Sequence, residues 1–344
     1  MPFVDTPGLG VHYLQAGASG EPVVLLHGFP QTSLQWRHQL KALSEAGYAC
    51  FAPDNRGFGA TDKPDVRISR ALLARDVVRF LDAMGLESAH FVTHDWGGII
   101  GFKVVADYPE RVRSIALLDT LCTVWSPRAR HGYWFKAEGL AEDFFARHAS
   151  TFIEVMLGGR DVADLPGSPA SPWRMPSGSR GRPSWMDQQS LQRFIDAFAD
   201  PAAQAACIQY YRYGLPFHVI DDSTGGPRLL SERQVGEMWL HPEGLDNHPL
   251  HKSTMDFGPE DRATVFERPA LWLYSRPTGQ GSGGGARPTV AGTAAPSGNP
   301  FVDQFGRYFP DLRSAGVDAG HFLAEEAAEH TNAVLLDFLG GNRS

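Results

Sequence analysis

"FVTHDWGGIIGF", residues 91–102, puts an aspartate at the tip of a tight turn. A short β-type run (Phe91, Val92) enters a cluster of small residues, and an apolar stretch of helical character leaves it. This is the small-x-nucleophile-x-small layout of a nucleophile elbow, here Thr93-His94-Asp95-Trp96-Gly97 with Gly98 behind it. Small residues are needed because the turn is sharp and the strand packs closely on the following helix. A serine at the tip would need a base to remove its proton, whereas an aspartate is already ionised at neutral pH. Asp95 is therefore read as a nucleophile that forms an ester with its substrate. A second step must hydrolyse that ester, which calls for a histidine that activates water as a general base.

Around this stretch the first 120 residues alternate strand and helix signals. "PVVLLHG" (22–28) is a continuous apolar run ending in glycine, as expected for a strand buried on both faces of a parallel sheet. "WRHQLKALSEAG" (36–47) has helical spacing and "YACFAPDNRGFGATDKP" (48–64) is a strand followed by a turn-rich loop. "ARDVVRFLDAMG" then reads as helix, "AHFVTH" as strand, "IIGFKVVADYP" as helix and "VRSIALLDT" as strand. Such alternation predicts an α/β fold with a mainly parallel sheet. Residues 122–257 lose the alternation and become aromatic and helical in pattern, with "LAEDFFARHASTFIEVML" and "LQRFIDAFADPAAQAACIQYYRYG" as the clearest segments. A Pro/Gly/Ser-rich connector, 167–185, lies between them. The α/β texture returns at "PALWLYS" (269–275) and the chain closes with a helix near "EEAAEHTNAVLLDFL". The expected organisation is a core of residues 1–121 and 258–344 interrupted by a helical cap, 122–257, laid out as a lid. Residues 277–300 hold seven glycines and four prolines with no aromatic, Leu or Ile. That composition cannot bury a core and is expected to be mobile.

Bulk composition narrows the function classes. The chain has 344 residues, 42% hydrophobic and 20% charged, with 31 basic against 39 acidic side chains for a net charge of −8. No basic run with interleaved aromatics is present, so nucleic acid is not an expected partner. There is no secretory pattern at residues 1–15 and no run of 18 apolar residues, so no membrane span is expected. Cys50, Cys122 and Cys207 are scattered without CxxC spacing, as in a reducing, cytoplasmic setting. "GFGATD" lacks the dinucleotide fingerprint, and neither a P-loop nor a metal-ligand cluster is evident. No cofactor is expected. A homodimer is compatible with the sequence.

Of 13 histidines, His321 in "DAGHFLAEE" stands just before the last helix and is the candidate base. The oxyanion of ester hydrolysis needs backbone N–H donors. His27-Gly28-Phe29-Pro30, after the first clear strand, supplies one from Phe29, and Trp96 N–H is the second.

HGFP, "PDNRGFGATDKP" and "HDWGG" resemble the α/β-hydrolase superfamily, and within it the epoxide hydrolases and the haloalkane and haloacetate dehalogenases. The resemblance extends over nearly the whole chain. It implies an α/β-hydrolase fold with a helical cap, and an aspartate that attacks an sp³ carbon, displacing an epoxide oxygen or a halide. Many such proteins carry the triad acid after the strand corresponding to "ALWLYS", yet "YSRPTGQGSGGG" contains no acid. Some bacterial members use an acid after the preceding strand, where this chain has Asp119, 24 residues beyond Asp95. Asp303, after the glycine-rich stretch, is the rival. Asp119 is favoured because a mobile loop is a poor support for a group that must orient His321.

The resemblance also implies that cap residues donate to the epoxide oxygen. "YYRYG" places Tyr211 as one donor. "HGYWFKAEGLAED" places His131 as the other, with Trp134 three residues on in the substrate-binding aromatic pair. Tyr133 and Tyr210 are substitutes. A haloacid would lack the arginines that similar dehalogenases set beside the elbow, where this chain has Trp96 and an apolar residue near Ile99. A haloalkane would find Trp96 but no polar side chain at Phe29. An epoxide is therefore the expected substrate and an organohalide the alternative. A non-catalytic small-molecule-binding protein of the same fold is the third reading.

Overall fold

The computed structural model describes residues 2–125, 131–158, 185–220, 227–231, 233–235, 255–276 and 300–342. Most of the connector 167–185 and of the glycine-rich stretch 277–300 lies outside the described residues. In chain order the strands are β1 (Phe3–Thr6), β2 (Leu9–Ala16), β3 (Pro22–Leu26), β4 (Ala49–Pro53), β5 (Ala89–His94), β6 (Val112–Leu118), β7 (Val124–Trp125), β8 (His218–Ile220), β9 (Pro227–Leu229), β10 (Met255–Asp256), β11 (Ala270–Ser275) and β12 (Leu312–Val317). The chain divides into two compact units. One comprises Met1–Asp62, Arg70–Cys122 and Asp261–Ser344; the other comprises Lys63–Ser69 and Thr123–Glu260.

The first unit is built on an eight-stranded sheet, ordered β1-β2-β4-β3-β5-β6-β11-β12. From β4 to β12 the pairs are parallel, whereas β1–β2 and β2–β4 are antiparallel. Val23, Val24, Leu25 and Leu26 of β3 are all fully buried, which is why the strand reads as an unbroken apolar run. Val23 and Leu25 face a core cluster with Leu40 and Leu43 from the helix Arg37–Glu45 and Leu335, Phe338 and Leu339 from the helix Ala328–Gly340. Helix Arg70–Ala83 packs along helix Trp96–Asp107. Lys103 of the latter holds Asp261 at 2.7 Å, and Asp261 also takes Arg70 at 2.8 Å. This buried triad pins the chain where it re-enters the unit.

The second unit carries the helices His131–Lys136, Leu140–Met156, Gln188–Phe198 and Pro201–Gly214. Asp187 and Asp200 cap the last two through Ser190 N–H and Ala202 N–H. Lys63–Ser69 joins this unit through Ile68 N–H to Gln209 Oε1 at 3.1 Å and Arg67 over the Tyr213 ring at 4.4 Å. The unit is not wholly helical: β7, β10, β8 and β9 form a small antiparallel sheet in that order. Strands of two and three residues are too short to show a period of two in sequence.

Candidate active site

β3, β5, β6 and the loop after β12 each deliver one part of the site. Asp95 follows β5 directly and caps the helix Trp96–Asp107, with φ 48° and ψ −119°. A non-glycine residue rarely adopts positive φ, and here the turn aims the carboxylate away from the helix. The small neighbours are sterically required. A Cβ on Gly97 would lie 2.0 Å from Leu26 O, one on Gly98 would lie 2.2 Å from Thr120 Cγ2, and one on Gly28 would lie 2.4 Å from Asp95 Cβ.

After β3 the HGFP turn presents Phe29 N–H to Asp95 Oδ1 at 2.8 Å. The turn is held by His27, whose Nε2 accepts from Asn55 N–H at 2.9 Å and whose Nδ1 lies 3.0 Å from Gly28 O. Nε2 therefore carries no proton and Nδ1–H is the donor. Burial lowers the His27 pKa, in keeping with this neutral form. Asn55 Nδ2 returns a bond to His27 O at 2.8 Å, so "PDNRG" buttresses HGFP. The Phe29–Pro30 peptide is cis.

His321, on the loop after β12, points Nε2 at Asp95 Oδ2 at 3.6 Å and Nδ1 at Asp119 Oδ2 at 2.7 Å. Asp119 follows β6, also at positive φ (37°). Its other oxygen accepts from Ser275 N–H at 3.2 Å and Ser275 Oγ at 3.0 Å, at the end of β11. The carboxylate beside His321 is thus Asp119; Asp303 stands in the first turn of the helix Pro300–Tyr308. Ser275, at the end of β11, thus fixes how the Asp119 carboxylate sits. Next to Asp119, Thr120 Oγ1 donates to Asp95 O at 2.5 Å.

Electrostatics follow from this geometry. Burial pulls the His321 pKa down, but the hydrogen bonds and charges of Asp119 and Asp95 outweigh it and leave it at about 10. Burial likewise opposes ionisation of Asp95, yet His321 and Phe29 N–H leave its pKa lowered. Free Asp95 and His321 therefore form an ion pair at neutral pH. His94 behaves in the opposite way: burial first, then the neighbouring His321, push it down to about 4, so it is neutral.

In the second unit, His131 and Tyr211 are neighbours, with ring centroids 5.5 Å apart at 82°. Tyr211 stacks on Phe135 at 4.2 Å. Tyr133 directs its hydroxyl to Met255 Sδ at 3.4 Å, and Tyr210 is fully buried. Trp134 packs edge-on against Phe144, at 5.0 Å, and Phe145, at 5.8 Å. Among the described residues no group of three or more His, Cys, Asp or Glu could hold a metal, and no helix is long and apolar enough to cross a membrane.

A family model described as "alpha/beta hydrolase fold" matches residues 21–277. The chain belongs to the α/β-hydrolase family. Epoxide hydrolase A of Mycobacterium tuberculosis is 33% identical to this α/β-hydrolase over 221 residues, covering 57% of this chain and 68% of that protein. Epoxide hydrolase 1 of Siraitia grosvenorii is 32% identical over 355 residues, covering 98% of this chain and 96% of that one. The match to bifunctional epoxide hydrolase 2 of Sus scrofa spans only 31% of the latter's length. Among solved structures, epoxide hydrolase A from Mycobacterium thermoresistibile superposes with a TM-score of 0.66 at 24% identity, over 99% of this chain and 98% of that one, which speaks to the fold alone.

Proposed function

We propose that this α/β-hydrolase opens epoxides to vicinal diols through an ester on Asp95. The observation that carries the reading is the division of labour between the two Asp95 oxygens. Oδ1 is held by Phe29 N–H, while Oδ2 faces His321. Oδ2 attacks an epoxide carbon, the ring C–O bond breaks, and the ring oxygen takes a proton. With Asp95 esterified, His321 gives up its proton, replacing the one that the acid lent to the ring oxygen, and its neutral Nε2 then removes a proton from a water that attacks Asp95 Cγ. Negative charge develops on Oδ1, where Phe29 N–H already stands and Trp96 N–H is the proposed second donor. Collapse breaks the Cγ–Oδ2 bond, the departing oxygen takes the proton from His321, the new Asp95 carboxyl passes its proton to His321, and the diol leaves.

The change of charge on Asp95 gates the second step. While Asp95 is ionised, His321 is held protonated; once Asp95 is an ester, only Asp119 still raises the imidazole pKa. More of His321 is thus unprotonated, and available as a base, in the intermediate that needs one. Asp119 orients the ring and stabilises its charged form, as in other nucleophile–histidine–acid sites. Tyr211 and His131 are the proposed proton donors to the ring oxygen, on the strength of their motifs and of their adjacent rings in the second unit. A relative named epoxide hydrolase, matched over 98% of this chain, favours an epoxide over a halide. A cytoplasmic setting belongs to the same proposal and rests on three dispersed cysteines without CxxC spacing.

The test is a panel of aryl and alkyl epoxides beside haloalkanes and fluoroacetate, reading diol against halide release. Asp95→Ala should abolish turnover, and His321→Gln should accumulate an Asp95 adduct visible by intact-protein mass spectrometry. Full turnover by Asp95→Ala would refute the mechanism.

A further inference from the structure

His321 sits on a loop, not on a strand, yet its ring must be placed to a fraction of an ångström for water activation. The main chain around it is held by three hydrogen bonds that take no part in the steps above. Glu326 accepts from both flanking amides, Gly320 N–H to Oε2 at 2.7 Å and Phe322 N–H to Oε1 at 2.9 Å. A Cβ on residue 320 would come within 2.8 Å of both Glu326 carboxylate oxygens, so the loop is moulded to that carboxylate. His94 Nε2 lies 2.9 Å from His321 O. A carbonyl oxygen can only accept, so Nε2 carries the proton. The two imidazole rings are 4.8 Å apart, and His94 is fully buried. Its Nδ1 is also buried and has no hydrogen-bond partner among the described residues. The neighbouring Glu325 is spent elsewhere, on Arg37 and Gln31.

We propose that Glu326 and His94 are positioning residues for His321, clamping its backbone so that Nε2 addresses the water, and that they serve ester hydrolysis but not ester formation. The inference rests on the two-step reading above, because only that reading gives His321 different work in the two halves. Ester formation needs Asp95 Oδ2 and an acid for the ring oxygen; it makes no demand on where His321 sends a proton. Hydrolysis does. A misplacement of about 1 Å can cost on the order of 10²-fold in such a step.

The experiment compares Glu326→Gln, His94→Leu and His94→Gln with the wild type, using styrene oxide as probe. Rapid quench gives ester formation and hydrolysis separately, intact mass gives the fraction of Asp95 esterified at steady state, and a thermal melt reports folding. Glu326→Gln sets an amide N–H₂ against a backbone N–H and loses one bond. It should slow hydrolysis roughly 10- to 100-fold while ester formation changes less than about threefold, so the ester accumulates. His94→Leu should act in the same direction. His94→Gln, which restores a donor near the Nε2 position, should recover most of the loss. Equal falls in both half-reactions, or a glutamine at 94 no better than leucine, would overturn the inference and leave both residues merely structural. If neither the wild type nor His321→Gln forms any ester with any epoxide of the panel, the two-step reading falls and this inference with it. That result is distinct from a wild type that turns over through an ester whose lifetime the three variants leave unchanged.

Discussion

Asp119→Asn isolates what the acid does, because the surroundings decide how the new amide must sit. Ser275 N–H and Ser275 Oγ both donate to Asp119 Oδ1. An asparagine must put its carbonyl oxygen there, which forces its N–H₂ toward His321 Nδ1, 2.7 Å from the present Oδ2. Two donors cannot face each other, so Nδ1 has to accept and the imidazole proton moves to Nε2. The nitrogen facing Asp95 then has no lone pair for water. In the serine-protease triad the same carboxylate-to-amide exchange, with geometry intact, lowers kcat by about 10⁴. A loss of about that size is expected here, confined to ester hydrolysis, with ester formation largely preserved. Rapid quench and intact-mass measurement should show a nearly stoichiometric adduct after mixing with an epoxide. Hydrolysis within about tenfold of wild type, far short of the triad precedent, would refute the reasoning, because the tautomer argument allows no such residual rate. So would Asp303→Asn being the crippled variant.

The remaining expectations concern acid supply and pH. Tyr211→Phe should slow ester formation from epoxides by about 10² or more, the lower end for a lost general acid, and should slow a haloalkane less because halide leaves without a proton. His131→Gln should be milder than His131→Ala; equal losses on both substrate types would reduce these side chains to pocket walls. The His321 pKa is raised to about 10 in the folded protein. The folded state therefore holds a proton that the unfolded chain releases near the ordinary histidine value of about 6.5. Stability from this group is complete below that value and is lost as pH rises toward 10. The melting temperature should fall over that window in the wild type and fall less in Asp119→Asn; parallel curves would contradict the ion pair.

The chemistry was largely legible because its first elements are local. A strand, a small-residue turn and a helix fall within a dozen residues around Asp95, and HGFP sits directly at a strand end. Asp119 was readable as the residue closing an apolar strand, although only the fold brings it beside His321, 202 residues away. Ser275, Glu326 and the side-chain role of His94 were not readable. Each matters through a partner distant in sequence or through the shape of a loop, and none belongs to a residue pattern that chemistry alone demands. The strand Leu312–Val317 is not legible in the sequence either. "LRSAGV" has few large apolar residues, and it pairs through its backbone at the edge of the sheet with β11. The small sheet of the second unit is made of pieces too brief to carry a pattern.

The Phe29 donor, like the proposed Trp96 donor, belongs to the main chain, unlike the working groups of Asp95, His321 and Asp119. Any of the amino acids except proline brings the same N–H to position 29. The group that meets the developing charge on Asp95 is thus encoded by the path of the chain and not by the identity of a codon. Drift, or a mutagenesis library, can vary the side chain at 29 while leaving the donor in place, provided that the turn buttressed by His27 and Asn55 keeps its shape. The same latitude does not exist at Asp95, His321 or Asp119, where function resides in the side chain itself. The side chain at position 29 can therefore change with less risk to turnover than those of Asp95, His321 or Asp119.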